Sequence, residues 1–171
     1  VNLASATEVQ NYIDQVTDAQ QGRVAYGGYL EKRKIYNRSS FFGQKGATSE
    51  RNIHLGVDFW VPNGTTVLAA LDGVVHSFAN NQNDGDYGPT IVLEHEYTFG
   101  KFYSLYGHLE SSCLDSLEIS QFFRKGEVIA KIGRSEENGG YAPHLHFQVI
   151  LDMEGNVGDY PGVCSTCLLY T

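Results

Sequence analysis

The chain has 171 residues, 12 of them Lys or Arg and 20 Asp or Glu, for a formal charge of -8. That length suits one domain, or one domain with a small attachment, and is enough to bury a sizeable core. The acidic balance disfavours nucleic acid as a partner, and no apolar run approaches the roughly 20 residues that span a bilayer.

The chain opens on Val1 rather than Met, and VNLASATEVQ has no basic segment followed by an apolar one. The expectation is a leader, tag or upstream domain that has been removed. Residues 5 to 20 predict a helix: Ser5 and Glu8 form an S-x-x-E capping box, while Val9, Tyr12, Ile13 and Val16 recur on one face. Gly22 is its expected stop. Beyond it the pattern turns to short β-like runs between Gly, Asn and Asp, with one further helical candidate at Leu114 to Phe123.

The first chemically suggestive run is HLGVDFWVP, which carries His54 and Asp58. Four residues apart suits two ligands on a helix, but Gly56, the β-branched residues and Pro62 argue against one. In a straight strand the two Cα atoms would lie about 13 Å apart, near or beyond the reach of converging side chains. A bend or bulge at Leu55-Gly56-Val57 is therefore predicted, with Gly56 relieving backbone crowding.

Turn signals follow in order. Asn63-Gly64 supplies positive φ before a strand at Thr66 to Leu71, and Asp72-Gly73 suits a tight hairpin into Val74 to Phe78. Asn83 to Asp86 forms a loop before Thr90 to Glu94, and Lys125-Gly126 precedes Val128 to Ile132. Several hairpins imply an antiparallel sheet. His76 and His95 lack partners of ligand type, and alternation in their strands predicts exposed or half-exposed structural positions.

His108 falls at a strand end after Leu105-Tyr106-Gly107, and Arg134 to Tyr141 reads as a flexible rim beside the final strand. After Pro143, which biases Ala142 toward an extended conformation, HLHFQVI has a two-residue rhythm. His144 and His146 thus share a face, about 6.6 Å apart, with Leu145, Phe147 and Val149 opposite. Zinc accepts imidazole nitrogen and carboxylate oxygen, and a catalytic site needs three protein ligands because water takes the fourth position. The candidates His54, Asp58, His108, His144 and His146 cover that need with two imidazoles left for proton and charge handling. Spacing does not say which histidine of HLH binds the metal.

Cys113, Cys164 and Cys167 are too few for a disulfide framework. Cys164-Ser-Thr-Cys167 has redox-motif spacing but no following helix to depress a thiol pKa, so ordinary thiols or an incidental bridge are expected.

Through HLGVDFWVPNGTTVLAALDGVV, GPTIVLEHE, YSLYGHL, KGEVIAKIG and NGGYAPHLHFQVI, from about Ile53 to Ile150, the chain resembles the lysostaphin and LytM family of zinc endopeptidases. The resemblance implies a mainly β fold, a compact antiparallel sheet or sandwich of the duplicated-hybrid-motif type, here preceded by a helix. It implies Zn2+ held by His54, Asp58 and His146, with His108 and His144 in the catalytic positions, and peptidoglycan peptides as substrate. The domain reading is a helical segment at 1–22, a zinc metallopeptidase-like β domain at 23–160 and a tail at 161–171.

The expected activity is hydrolysis of cell-wall peptide bonds by zinc-activated water, in the cell envelope or outside the cell once a leader is removed. With no Glu placed as in H-E-x-x-H enzymes, histidines must orient or deprotonate the water, stabilise the oxyanion and protonate the leaving amine. GGYAPHLHFQVI followed by GDYPGV is also similar to a metallopeptidase-like segment in larger chains that join a kinase-like domain to a pyridoxal-phosphate aminotransferase. That similarity supplies the alternative: a cytoplasmic zinc-containing binding or regulatory module of a multidomain chain, without wall hydrolysis.

Overall fold

In the computed structural model, which describes residues 2, 5–19, 24–33 and 51–166, the capping box opens a helix α1 at Ala6–Ala19. The Glu8 amide donates to the Ser5 hydroxyl at 3.3 Å, while the Glu8 carboxylate accepts from the Asn2 amide at 3.0 Å rather than from Ser5. No residue of α1 is fully buried; its apolar face instead lines the groove described below. The expected stop at Gly22 and the pairing of Cys164 with Cys167 lie outside the described residues.

Beyond α1 the described residues are mainly strand and turn: β1 (Ala25–Gly27), β2 (Ile53–His54), β3 (Val57–Trp60), β4 (Thr66–Leu68), β5 (Gly73–Asn81) and β6 (Gly88–Tyr97) come first. They are followed by β7 (Gly100–Gly107), β8 (Phe122–Phe123), β9 (Val128–Lys131), β10 (His144–Ile150) and β11 (Val163–Cys164). Seven strands form one antiparallel sheet in the order β1-β3-β10-β7-β6-β5-β8, while β4 pairs with β9 and β2 with β11. This bears out the mainly β, antiparallel fold with an N-terminal helix.

Central β6 is apolar at successive positions because both its faces are covered. Ile91 and Leu93 join Val67, Tyr106, Phe123 and Ile132 between the large sheet and the β4-β9 pair. Val92 turns the other way, to Tyr87, Leu105 and Ile150. Burial of each such aliphatic side chain contributes about 1.5–3 kcal/mol, so β6, its neighbour β7 and, beyond that, β10 form a rigid floor.

Three expectations are corrected. Asp72-Gly73 makes no hairpin, because β4 leaves to pair with β9 while β5 pairs with β6 and β8. Asp72 instead ties the two layers, its Oδ1 accepting from the Lys125 amide at 2.6 Å and its carbonyl from His95 Nδ1 at 2.7 Å. Hence His95 is buried rather than exposed, with the Ser104 hydroxyl donating to its Nε2 at 2.7 Å. Gly73 makes the room: a Cβ there would lie 2.7 Å from His95 Nδ1. The Leu114 to Phe123 stretch is no helix either; a single 3-10 turn spans Ser111–Leu114, Ser120 takes φ 66°, and Phe122–Phe123 is drawn into the sheet edge against β5.

Candidate metal centre

The register of three neighbouring strands builds the site. His146 of β10 lies opposite Asp58 of β3 on one side and Gly107 of β7 on the other, and His144 lies opposite Trp60. Directly opposed residues on one sheet face stand with Cβ atoms about 4.5–5.5 Å apart, close enough for side chains to meet at one point. His54 reaches the same point from β2, which has left the large sheet at Leu55-Gly56 to pair with β11. The bend predicted between His54 and Asp58 is therefore present.

Gly56 serves the bend in a specific way. A Cβ there would sit 2.5 Å from both Cε1 and Nε2 of His146 and 2.9 Å from the Phe147 carbonyl. Gly56→Ala should lower unfolding stability by about 1–3 kcal/mol, the usual cost of overpacking, read as a reduced urea midpoint. An unchanged midpoint would show that the His146 ring has space to retreat.

The converging atoms are His54 Nε2, Asp58 Oδ1 and His146 Nδ1, all three residues buried. The nitrogens are 2.8 Å apart and each lies 3.3 Å from the carboxylate oxygen. A tetrahedral ion with bonds of about 2.0–2.1 Å holds its ligand atoms about 3.3 Å apart, so the spacing is that of a slightly contracted coordination sphere. The outward nitrogens are occupied: His54 Nδ1 donates to the Gly28 carbonyl at 2.9 Å, and His146 Nε2 to Gln148 Oε1 at 3.1 Å. Those bonds fix the tautomers and leave two lone pairs and a carboxylate oxygen facing one another, an arrangement that a cation relieves. Asp58 Oδ1 itself is buried without a hydrogen-bond partner. The donor set fits a divalent metal.

Two more imidazoles border the same space. His108 Nδ1 donates to the Asn138 carbonyl at 2.8 Å and His144 Nδ1 to the Ala142 carbonyl at 2.7 Å, so each keeps an unprotonated Nε2. Their ring centroids are 4.2 Å apart, and His144 Nε2 lies 3.8 Å from Asp58 Oδ1. His108 adopts φ 65°, a left-handed conformation that costs a non-glycine residue about 1–3 kcal/mol and clusters at functional positions. The Tyr87 carbonyl holds it there by accepting the His108 amide at 2.8 Å.

Burial dominates the protonation states. It lowers His54, His144 and, well below the ordinary histidine range, His108, where the charges of His144 and His146 act in the same direction. Burial would raise Asp58, but the surrounding His144, His146 and His54 hold it well below the usual carboxylate range. At neutral pH, His54, His108 and His144 thus stand neutral beside an ionised Asp58.

All five sequence candidates meet in one cavity of about 760 Å³, whose far wall includes Val9, Ile13 and Val16 of α1. Sequence reasoning did not find Gln148, Tyr87, Gly28 or Arg33. Gln148 was within reach, being two residues beyond His146 on the same strand face. Tyr87, whose hydroxyl is 3.3 Å from His146 Nε2, and the Gly28 carbonyl come from loops remote in sequence and carried no periodic signal.

An antiparallel β fold thus carries, at a groove, a buried His-Asp-His cluster able to hold a metal ion. The chain belongs to peptidase family M23, whose model matches residues 52–157. It is 32% identical over 134 residues to the DD-carboxypeptidase/endopeptidase Mpg of Neisseria meningitidis serogroup B, covering 75% of this chain and 28% of that protein. It is 28% identical over 146 residues to the peptidoglycan DD-endopeptidase ShyC of Vibrio cholerae, covering 83% of this chain and 30% of that one. The chain therefore spans under a third of the length of these relatives. Its fold is similar to the catalytic domain of lysostaphin from Staphylococcus simulans, with a TM-score of 0.50 at 20% identity over 94% of this chain and 96% of that one.

Proposed function

We propose that this chain is the catalytic unit of a zinc endopeptidase that hydrolyses peptide bonds of bacterial peptidoglycan at the cell envelope. The observation that carries the reading is the convergence of His54 Nε2, Asp58 Oδ1 and His146 Nδ1, with the open nitrogens of His108 and His144 facing the same cavity. His54, Asp58 and His146 hold the metal. Two imidazoles and a carboxylate suit zinc, and the three-ligand set leaves a coordination position free. Zinc so held would lower the pKa of a water toward neutrality and polarise the scissile carbonyl.

The protein's own part is proton handling and orientation. His108 and His144 are neutral, with Nε2 unprotonated and Nδ1–H anchored to the Asn138 and Ala142 carbonyls. Together they take a proton from the attacking water and return it to the leaving amine, and in the protonated form they stabilise the developing oxyanion. Their fixed tautomers keep the accepting nitrogen turned to the substrate through the cycle. The cavity lies within the roughly 300–1,000 Å³ of small-ligand sites and is open enough for a peptide segment. The peptidoglycan endopeptidase among the relatives supports cell-wall peptides as the substrate class, and no helix of the described residues is long and apolar enough to cross a membrane.

The test is release of peptides or amino termini from purified peptidoglycan by the zinc-loaded chain, with and without chelator. Release that stops with chelator and returns with zinc is expected. Tight zinc binding with no release from walls of several peptide compositions would overturn the enzyme reading in favour of a binding module.

A further inference from the structure

The family-matched span begins at residue 52, yet the two residues of the H-x-x-x-D run are held from outside it, by residues 28–33. The backbone of this segment runs against β2: the Leu30 amide donates to the His54 carbonyl at 2.8 Å, the His54 amide to Glu31 at 3.0 Å, and the Arg33 amide to Asn52 at 2.8 Å. Lys32 bridges to Ile53. From that edge Gly28 receives the His54 ring N–H, and Arg33 Nη1 donates to Asp58 Oδ2 at 2.5 Å.

The Arg33 contact is built rather than incidental. Asp58 is 1% exposed and the Arg33 side chain 15%, so bulk water does not compete for the pair. Glu31 accepts from Arg33 Nε at 2.8 Å, and the guanidinium carbon lies 5.9 Å from the Trp60 ring centroid. Close approach of the chain also depends on Gly28, with φ 94°, since a Cβ there would fall 1.9 Å from Arg33 Nη2. The guanidinium is thus fixed by charge, by stacking and by a glycine that yields to it.

We infer that Arg33 is a positioning residue for Asp58: by occupying Oδ2 it presents Oδ1 alone to the metal. A carboxylate with both oxygens free binds a cation through one or two of them. Two-oxygen binding here would fill the coordination position that catalysis needs open. A charge-assisted hydrogen bond to Oδ2 removes that option while leaving Oδ1 turned toward His54 and His146. The Gly28 carbonyl and the Arg33 guanidinium are on this inference part of the metal centre, though they precede the family-matched span.

The inference rests on the metal-site reading above, and a cobalt(II) titration separates the two. Four-coordinate cobalt absorbs strongly in the visible, and higher coordination numbers absorb weakly, so the band reports coordination without any turnover. In the full chain the wild type and Lys32→Ala should show the strong band, and Arg33→Ala should lose it as Oδ2 turns to the ion. Added guanidinium chloride should restore the band in Arg33→Ala, and sodium chloride at the same concentration should not. No cobalt binding by the wild type would sink the metal-site reading itself. A wild-type band that persists in Arg33→Ala, that is lost equally in Lys32→Ala, or that guanidinium fails to restore would overturn the role of Arg33.

Discussion

His146→Ala should weaken zinc binding by roughly a hundredfold to a thousandfold, measured by competition with a chromophoric chelator. A complete four-ligand structural zinc site binds with an apparent 10–16 kcal/mol, or about 2.5–4 kcal/mol for each ligand, and every 1.4 kcal/mol is a factor of ten. The position has no understudy. His144, two residues earlier on the same face, points Nε2 toward Asp58 at 3.8 Å, but its Nδ1 is committed to Ala142 and its ring lies flat beside Trp60. The variant also leaves Gln148 Oε1 without the imidazole N–H it accepts and removes a ring that packs against Tyr87. Asp58→Asn should fall similarly, because it removes the only formal negative charge among the three donors and the charge that pairs with Arg33 Nη1. Wild-type affinity in His146→Ala would mean that the ion is held elsewhere.

How much of this was legible in the chain depends on how local the cause is. The shared face of His144 and His146 follows from the two-residue period of a strand and was readable, as was the break at Gly56, because a straight strand keeps His54 and Asp58 too far apart. The Ser5 cap acts within one turn and was readable for the same reason. Asp72-Gly73 misled because a turn signal states that the chain can reverse, not which strand it pairs with afterwards; the pairing of β4 with β9 was decided about sixty residues downstream. His95 looked like an exposed position because alternation is defined against one covered face, and β6 is covered on both. Arg33 was invisible for a further reason. Its partner is 25 residues away, and an arginine beside a glutamate in a polar stretch has nothing local to distinguish it from a solvated surface charge.

The second large effect is expected at His108 and His144, where His108→Asn and His144→Ala should each lower the rate of peptide release by about 10²- to 10⁴-fold, the usual contribution of a positioned acid or base. Zinc content should stay at the wild-type level in both, since neither residue contributes a donor atom to the converging triad. The choice of substitution at His108 matters. At φ 65° alanine would add backbone strain to the loss of the imidazole, whereas asparagine tolerates the left-handed region and keeps the main-chain contact to Tyr87. His144 has extended backbone within β10, so alanine there removes the ring with little other change. The two losses should not multiply in the double variant. The rings are 4.2 Å apart and border one space, and groups that pass the same proton act as a unit, so removing either already removes most of the joint effect. Full multiplicativity would mean that they serve separate steps. Wild-type rates with zinc retained would remove both from the mechanism, and loss of zinc from either variant would make that histidine a ligand.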